Sequence, residues 1–294
     1  MAYPTVSAPY GFKPVNLIGG QVYAGATRSL PIQYNYGTNI FFGDVVSLTR
    51  GFVARLSVGT GVTTGYDPVG IFLGCSYTDP VTKQKRFSQY WPANTLAGDA
   101  VAIVTEDPDI ILRVAVVTSA GGTTIGSIPT ASIGLNIAGS DLAGNLNTGD
   151  SYNAVLSASS ATSPASTNTF PFRIVDVVRD TAVSLGTATY SSGTTTLTTS
   201  AIPSALPYGT EVGFLASNGQ YVGTGSFVST AAAAGATSVV LNAQYGTINA
   251  GGTASTAATI PANSTLVFTQ YPEALVKFNF GIHGYYNATG ATTA

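Results

Sequence analysis

Short apolar runs rich in Val, Ile, Thr, Phe and Tyr recur along the chain between Gly, Asn, Asp and Pro residues. Representative runs are DVVSL (44–48), PVGIFLGCSY (68–77), DIILRVAVV (109–117) and ALVKFNFGI (274–282). Runs of this kind, bounded by turn residues, are typical of strands, and no segment carries an extended apolar stripe of helical period. The pattern predicts an all-β protein with a β-barrel or β-sandwich core domain and a second, inserted β module.

The distribution of charge predicts where the inserted module lies. From Thr181 to Pro272 the only charged residue is Glu211, whereas the segments on either side are charged like the rest of the chain. Because insertions are tolerated at surface loops, we expect a core domain at 21–180 plus 262–294 and an uncharged β module at 181–261. A simple tandem of two domains is the alternative.

The N-terminal segment predicts an extended arm at 1–20. Its stretch APYGFKPVNLIGG (8–20) has neither helical nor strand periodicity, and prolines bias the chain towards extended conformations. Tyr3, Tyr10 and Phe12 have no local face on which to be buried. Such an arm either packs across its own domain or reaches a neighbouring subunit, and we expect the second. Removal of 1–20 should then weaken attachment to a partner more than it lowers the melting temperature.

Composition narrows the function classes. Charged residues make up 8% of the chain, against roughly 25% in an average globular domain. There are 11 Lys and Arg against 13 Asp and Glu, so nucleic acid is not the expected partner.

Cys75 is the single cysteine, which excludes an intrachain disulfide. Neither a secretory signal nor an apolar membrane span is visible, and we expect synthesis in the cytoplasm without a membrane partner.

Residues suited to catalysis or metal binding are scarce. His283 is the only histidine, and the sequence has no nucleophile elbow, zinc motif or P-loop. The acidic stretch EDPD places Glu106, Asp107 and Asp109 close together, as a calcium site would. A plain proline turn is favoured there. We therefore expect no enzyme, no catalytic residues, no metal and no cofactor, with a hydrolase that uses Asp107 or Asp109 as the weakest rival.

One segment, YTDPVTKQKRFSQYW (77–91), concentrates basic and aromatic residues. Such a mixture fits a protein interface, ordinary loop packing, or single-stranded nucleic acid and sugar binding, and the acidic composition favours the interface. The predicted interface residues, taken from this segment and the arm, are Tyr3, Tyr10, Phe12, Lys13, Lys83, Lys85, Arg86, Phe87, Tyr90 and Trp91.

Four segments resemble a known family. They are SAPYGFKPVNLIGGQVYAGATRSLPI (7–32), NYGTNIFFGDVVSL (35–48), VGIFLGCSYTDPVTKQKRFSQYWPAN (69–94) and ALVKFNFGIHGYY (274–286). Together they resemble capsid decoration, or cement, proteins of tailed bacteriophages. The resemblance implies a virion structural protein on the outer capsid surface that stabilises the finished shell. It also implies contacts with the major capsid protein and a symmetric homo-oligomer, with a trimer favoured over a dimer.

The inserted module departs from the compact pattern of that family, and this keeps other functions open. An uncharged Thr- and Gly-rich module could contact host surface glycans. The chain could then be a tail-fibre or receptor-binding component. A secreted adhesin or carbohydrate-binding module is a further alternative, with Trp91 as its sugar platform, although the missing signal peptide argues against it.

Overall fold

A computed structural model describes residues 6–58, 67–157, 163–167, 170–193, 195–215, 219, 221–242, 246–248, 254–257, 263–279 and 282–285. These residues form 21 strands and two short 3₁₀ turns, with no α-helix among them, which confirms the all-β prediction. Within the same residues no helix has the length and apolar character needed to cross a membrane.

The chain divides into two compact units. The first, which we call the two-sheet unit, contains the described residues of Val6–Gly126, Gly134–Val177 and Glu273 onwards. The second, the barrel unit, contains Ser127–Ile133 and the described residues of Val178–Pro272. The chain therefore leaves the two-sheet unit twice and returns to it each time.

A seven-stranded sheet forms one half of the two-sheet unit. Its strand order is β10-β11-β8-β21-β12-β9, and β1 also pairs with β8. Phe12, Phe172 and Phe278 are fully or almost fully buried at its core. The strands are β1 (Lys13–Leu17), β8 (Ile110–Val117), β9 (Asn136–Ile137), β10 (Gly139–Ser140), β11 (Ala154–Leu156), β12 (Phe172–Val177) and β21 (Glu273–Phe278).

A six-stranded sheet forms the other half, in the order β2-β7-β5-β3-β4 with β6 paired to β5. Gly74 introduces a bulge in β5, and its φ of +142° is one that glycine adopts without strain. The bulge shifts the strand alternation, so Phe72 and Cys75 are both buried in the same core. The strands are β2 (Arg28–Pro31), β3 (Val45–Thr49), β4 (Phe52–Arg55), β5 (Gly70–Thr78), β6 (Lys85–Ser88) and β7 (Val101–Thr105).

The barrel unit contains a closed barrel of order β13-β14-β17-β16-β15-β20 and a separate hairpin, β18-β19. Alternate side chains of the barrel strands, including Leu197, Leu266 and Phe268, fill its interior. The strands are β13 (Val183–Ser192), β14 (Thr196–Thr199), β15 (Glu211–Leu215), β16 (Tyr221–Thr230), β17 (Ser238–Leu241), β18 (Gly246–Ile248), β19 (Ala254–Ala257) and β20 (Thr265–Gln270).

The strand pairing moves the limits of the expected insertion. Strand β20 lies beyond position 261, yet it pairs with β13 and β15 and closes the barrel. A barrel needs every edge paired, so the boundary follows β20 and falls near Pro272. The uncharged stretch continues through 262–272 and ends at this same boundary, so the predicted limit of 261 was placed too early within it.

The expectation of a free arm at 1–20 is wrong from Phe12 onwards. Residues 13–17 form β1, which pairs antiparallel with β8 of the same unit. The only strand that β1 pairs with among the described residues is β8, and a proline is tolerated in such an edge strand. The prolines therefore hold the segment extended, as predicted, but against its own sheet.

Candidate interaction surface

The N-terminal segment is held in place by a polar cluster. Tyr10 donates a hydrogen bond to the Glu273 carboxylate, and Arg113 binds the same carboxylate through Nε at 2.9 Å and Nη2 at 2.6 Å. Glu273 is 2% exposed. Burial, followed by the neighbouring carboxylate, raises the pKa of Tyr10, so the phenol stays protonated. The ammonium of Lys13 lies 4.8 Å from the centre of the Tyr10 ring.

The prediction that Phe12 is an interface residue is wrong, because its side chain is buried. Its side chain has no exposed surface and stacks on Phe172, with ring centroids 4.6 Å apart. Its amide donates to the carbonyl of Gly43 at 3.0 Å. A side chain that fills its own core is not available to a partner. Tyr3, the other aromatic residue predicted for the arm, lies outside the described residues.

Residues 78–88, which we call the basic hairpin, form the exposed end of β5 and β6. Its turn is built on Asp79, whose carboxylate accepts hydrogen bonds from the amides of Val81 at 2.8 Å and Thr82 at 3.1 Å. Lys83 occupies the left-handed region at φ +59° and donates its amide to the Asp79 carbonyl. These local bonds fix the shape of the turn.

The cations of the hairpin are partly paired. Arg86 contacts Asp79 at 3.2 Å and Lys85 contacts Asp99 at 3.0 Å. Asp99 also accepts from the Thr78 amide and hydroxyl, and these bonds, with that from Lys85, hold the pKa of Asp99 below its usual range. The ammonium of Lys83 forms no ion pair with any described residue.

Two apolar side chains of the hairpin face solvent. Val81 is 86% exposed and Phe87 is 80% exposed. Phe87 forms one wall of an open groove of about 400 Å³, opposite Leu73 and Ile103 on the outer face of the sheet. Exposed apolar side chains on a rigid hairpin are a feature of protein interaction sites.

Tyr90 and Trp91 follow the hairpin and turn inward. Trp91 has no exposed surface and packs edge-on against Tyr77 at 5.3 Å. Tyr90 is half-buried and stacks on Phe41. The prediction that Trp91 is a contact residue is therefore corrected, and so is its alternative role as a sugar platform: it is a core residue of the six-stranded sheet.

Sequence reasoning missed a buried charged cluster that joins the two sheets. Asp44 is fully buried and accepts from four donors: the Phe41 amide, Arg55 Nε, the Ser151 hydroxyl and Asn153 Nδ2. Burial raises the pKa of Asp44, and the charge of Arg55 opposes this shift. The sequence signal was the recurring Gly-Asp pair, of which Gly43-Asp44 is the first.

Arg55 extends this cluster to a second carboxylate. It contacts Asp141 at 2.5 Å as well as Asp44 at 3.0 Å. Asp44 directly precedes β3 of the six-stranded sheet and Asp141 directly follows β10 of the seven-stranded sheet, so the guanidinium links segments of the two sheets. A planar guanidinium suits this task because it can bind two carboxylates at once.

We call residues 106–109 the acidic turn. Its three carboxylates bind different partners. Glu106 pairs with Arg28 at 3.0 Å and Asp109 pairs with Lys277 at 3.2 Å. Asp107 accepts from the Asp109 amide at 2.9 Å. Among the described residues no group of His, Cys, Asp and Glu is arranged to hold a metal ion.

Cys75 and His283 are both buried. Burial raises the pKa of the Cys75 thiol to about 12, so the reactive thiolate is scarce at neutral pH. Burial lowers the pKa of His283, whose ring packs edge-on against Phe278. Both side chains have packing roles at these positions.

We expect acid to loosen the basic hairpin. The pKa of Asp79 and of Asp99 is lower in the folded chain than the usual value of 3.8. A depressed folded pKa contributes stability above the unfolded pKa, and that stability is lost as the pH falls through the folded value. The protection factors of the Val81 and Thr82 amides, which compare the exchange rate measured by NMR with the intrinsic rate at each pH, should therefore be constant from pH 7 to 5 and should fall below pH 3.8.

The matched control for this titration is Asp99→Asn. It removes the carboxylate that holds Thr78 and Lys85, so it should loosen β6 at neutral pH while the Asp79 turn persists. A protection factor at Val81 that stays constant down to pH 2 would contradict the assignment.

No protein-family model, curated protein or solved structure matches this chain.

Proposed function

We propose that the chain is a virion structural protein that decorates and stabilises the outer surface of a tailed-phage capsid. The observation that carries the proposal is the basic hairpin, whose turn is held by hydrogen bonds to Asp79 and which exposes Val81 and Phe87 beside cationic side chains. This combination fits contact with protein surfaces. The resemblance of four sequence segments to capsid decoration proteins supports the same function.

The ionisable groups of the two-sheet unit support a structural role. Asp44 and Glu273 accept hydrogen bonds from residues distant in sequence, and Asp99 binds Thr78 and Lys85 at the end of the basic hairpin. Carboxylates that are engaged in hydrogen bonds and ion pairs in this way stabilise the fold. We assign no catalytic step to them. Outer capsid proteins are exposed to solvent for long periods. β-Sheets joined by buried hydrogen bonds and ion pairs suit the stability that such exposure requires.

Co-sedimentation with capsid shells tests the proposal. Purified chain is mixed with empty shells assembled from the major capsid protein of the same phage and is centrifuged through sucrose. We expect the chain to pellet with shells at a fixed stoichiometry and to raise the temperature at which the shells disrupt. Absence of the chain from the pellet at saturating concentration would contradict the proposal.

Receptor binding is a second candidate because of one surface residue. Tyr208 of the barrel unit is 57% exposed and packs edge-on against Phe227 at 5.6 Å, which holds its ring in a fixed position. Exposed, oriented aromatic rings are suitable platforms for sugars. Tyr208→Ser distinguishes the two functions: it should leave shell binding unchanged, and it should abolish cell or polysaccharide binding if the receptor function holds.

A further inference from the structure

The basic hairpin and the acidic turn lie at opposite ends of the six-stranded sheet. Strand β5 runs from Gly70 to Thr78, and Ile71 pairs with Thr105 just before the acidic turn. The hairpin begins where β5 ends. At about 3.3 Å per residue, the two features are separated by roughly 26 Å along the strand.

Each end retains one unneutralised charge. At the hairpin, Lys85 and Arg86 have acidic partners, whereas Lys83 forms no ion pair with the described residues. At the acidic turn, Glu106 and Asp109 have basic partners. The remaining charge there is that of the half-buried Asp107, which forms no ion pair with a described Lys or Arg and whose charge acts on the buried His283. The two ends are therefore opposite in charge.

Apolar side chains accompany both charges. The amide of Ile18 donates to the Asp109 carbonyl at 2.9 Å, which places the turn at 17–21 beside the acidic turn. Ile18 is 44% exposed and Val22 is 81% exposed. Val81 is exposed at the other end. Each end thus presents an exposed aliphatic surface next to a single charge, and the charges are complementary.

We propose that copies of this chain associate head to tail, with the acidic turn of one copy bound to the basic hairpin of the next. Lys83 faces Asp107 across the contact, and Val81 packs against Ile18 and Val22. The separation of the two ends prevents one copy from making this contact with itself. An interface between two different surfaces closes into a ring when the rotation between copies allows it. The inference concerns copies of the chain alone and is independent of capsid binding.

Charge reversal on the purified chain tests this inference by sedimentation velocity over a range of concentrations. Lys83→Asp suits the left-handed backbone at that position, where Asp is tolerated better than most residues. Lys83→Asp and Asp107→Lys should each weaken the association about fivefold, because each places like charges together. Asp107→Asn keeps the bond to the Asp109 amide and should have a smaller effect.

An equimolar mixture of the two reversed variants provides the decisive comparison. Each variant carries one charge sign at both ends, so the mixture should associate again with strictly alternating copies, and any closed ring that it forms should contain an even number of copies. Val81→Ser should weaken wild-type association on the order of tenfold. Leu215→Ser, at an exposed aliphatic position in the barrel unit, is the matched control and should have no effect.

Three results would overturn the inference. A wild-type chain that is monomeric at every concentration would do so, as would reversed variants that associate like the wild type. A mixture that recovers no more association than either variant alone would exclude the pairing of Lys83 with Asp107. Circular dichroism of each variant establishes that the fold is intact.

Discussion

Asp44→Asn is expected to lower the free energy of unfolding by about 3–5 kcal/mol, as is typical when one partner of a buried ion pair is removed. Both carboxylate oxygens of Asp44 accept two hydrogen bonds each: Phe41 and Arg55 bind Oδ2, and Ser151 and Asn153 bind Oδ1. In asparagine, an NH₂ group replaces one of the two carboxylate oxygens. In either orientation, its two hydrogens would face two groups that are themselves donors. Arg55 would also lose one of its two acidic partners.

Guanidinium denaturation followed by tryptophan fluorescence measures this effect. Trp91 is the only tryptophan and lies in the core of the six-stranded sheet, so its emission reports on the two-sheet unit. Asp150→Asn is the control, since Asp150 also follows a glycine but binds Gln89 near the surface. We expect a change within about 0.5 kcal/mol for the control. Equal effects of the two substitutions would contradict the role given to Asp44.

Phe12→Ala is expected to cost about 3–5 kcal/mol of stability in the isolated chain, as large-to-small substitutions at buried aromatic residues do. Phe12 is fully buried and stacks on Phe172, and this contact joins the N-terminal segment to the core. The same result would count against the expectation that removal of residues 1–20 weakens attachment to a partner more than it lowers the melting temperature. Such a truncation removes Phe12 and strand β1 together.

Val15→Ala is the matched control in the same segment, because Val15 is 45% exposed. Both variants are measured by the same fluorescence transition, and Val15→Ala should be close to the wild type. If Phe12→Ala left the transition unchanged and weakened only assembly, the segment would be an intermolecular arm after all.

The fold class could be predicted because it depends on local pattern. Runs such as DVVSL and DIILRVAVV specify strands through β-branched residues and bounding turns, and both became strands, β3 and β8. The existence of the uncharged second unit also followed from composition. Its end at Pro272 coincides with the end of the uncharged stretch, whereas the predicted limit of 261 left out β20, which pairs with β13 and β15.

The side-chain positions were harder to predict because burial depends on contacts distant in sequence. Tyr10 and Glu273 are 263 positions apart, and Arg55 and Asp141 are 86 apart. Trp91 and Phe87 lie in one aromatic segment, yet the first is buried and the second is exposed. The difference arises from β6, an edge strand whose Phe87 faces outward, whereas the chain after it turns into the core. No local pattern encodes that turn.

The basic hairpin was found from sequence because its chemistry is local. Lys83, Lys85, Arg86 and Phe87 are exposed together on one hairpin, and their role in an interface stays a prediction. The acidic turn was considered as a calcium site or a proline turn. Its pairing partners Arg28 and Lys277 come from distant strands, and so its position opposite the hairpin could not be inferred from the sequence.

Electron cryo-microscopy of intact phage particles tests the central proposal most directly. Density for the two-sheet unit is expected on the outside of the shell, repeated in register with the capsid lattice. Particles that lack this chain, or that carry it solely at the tail, would contradict it.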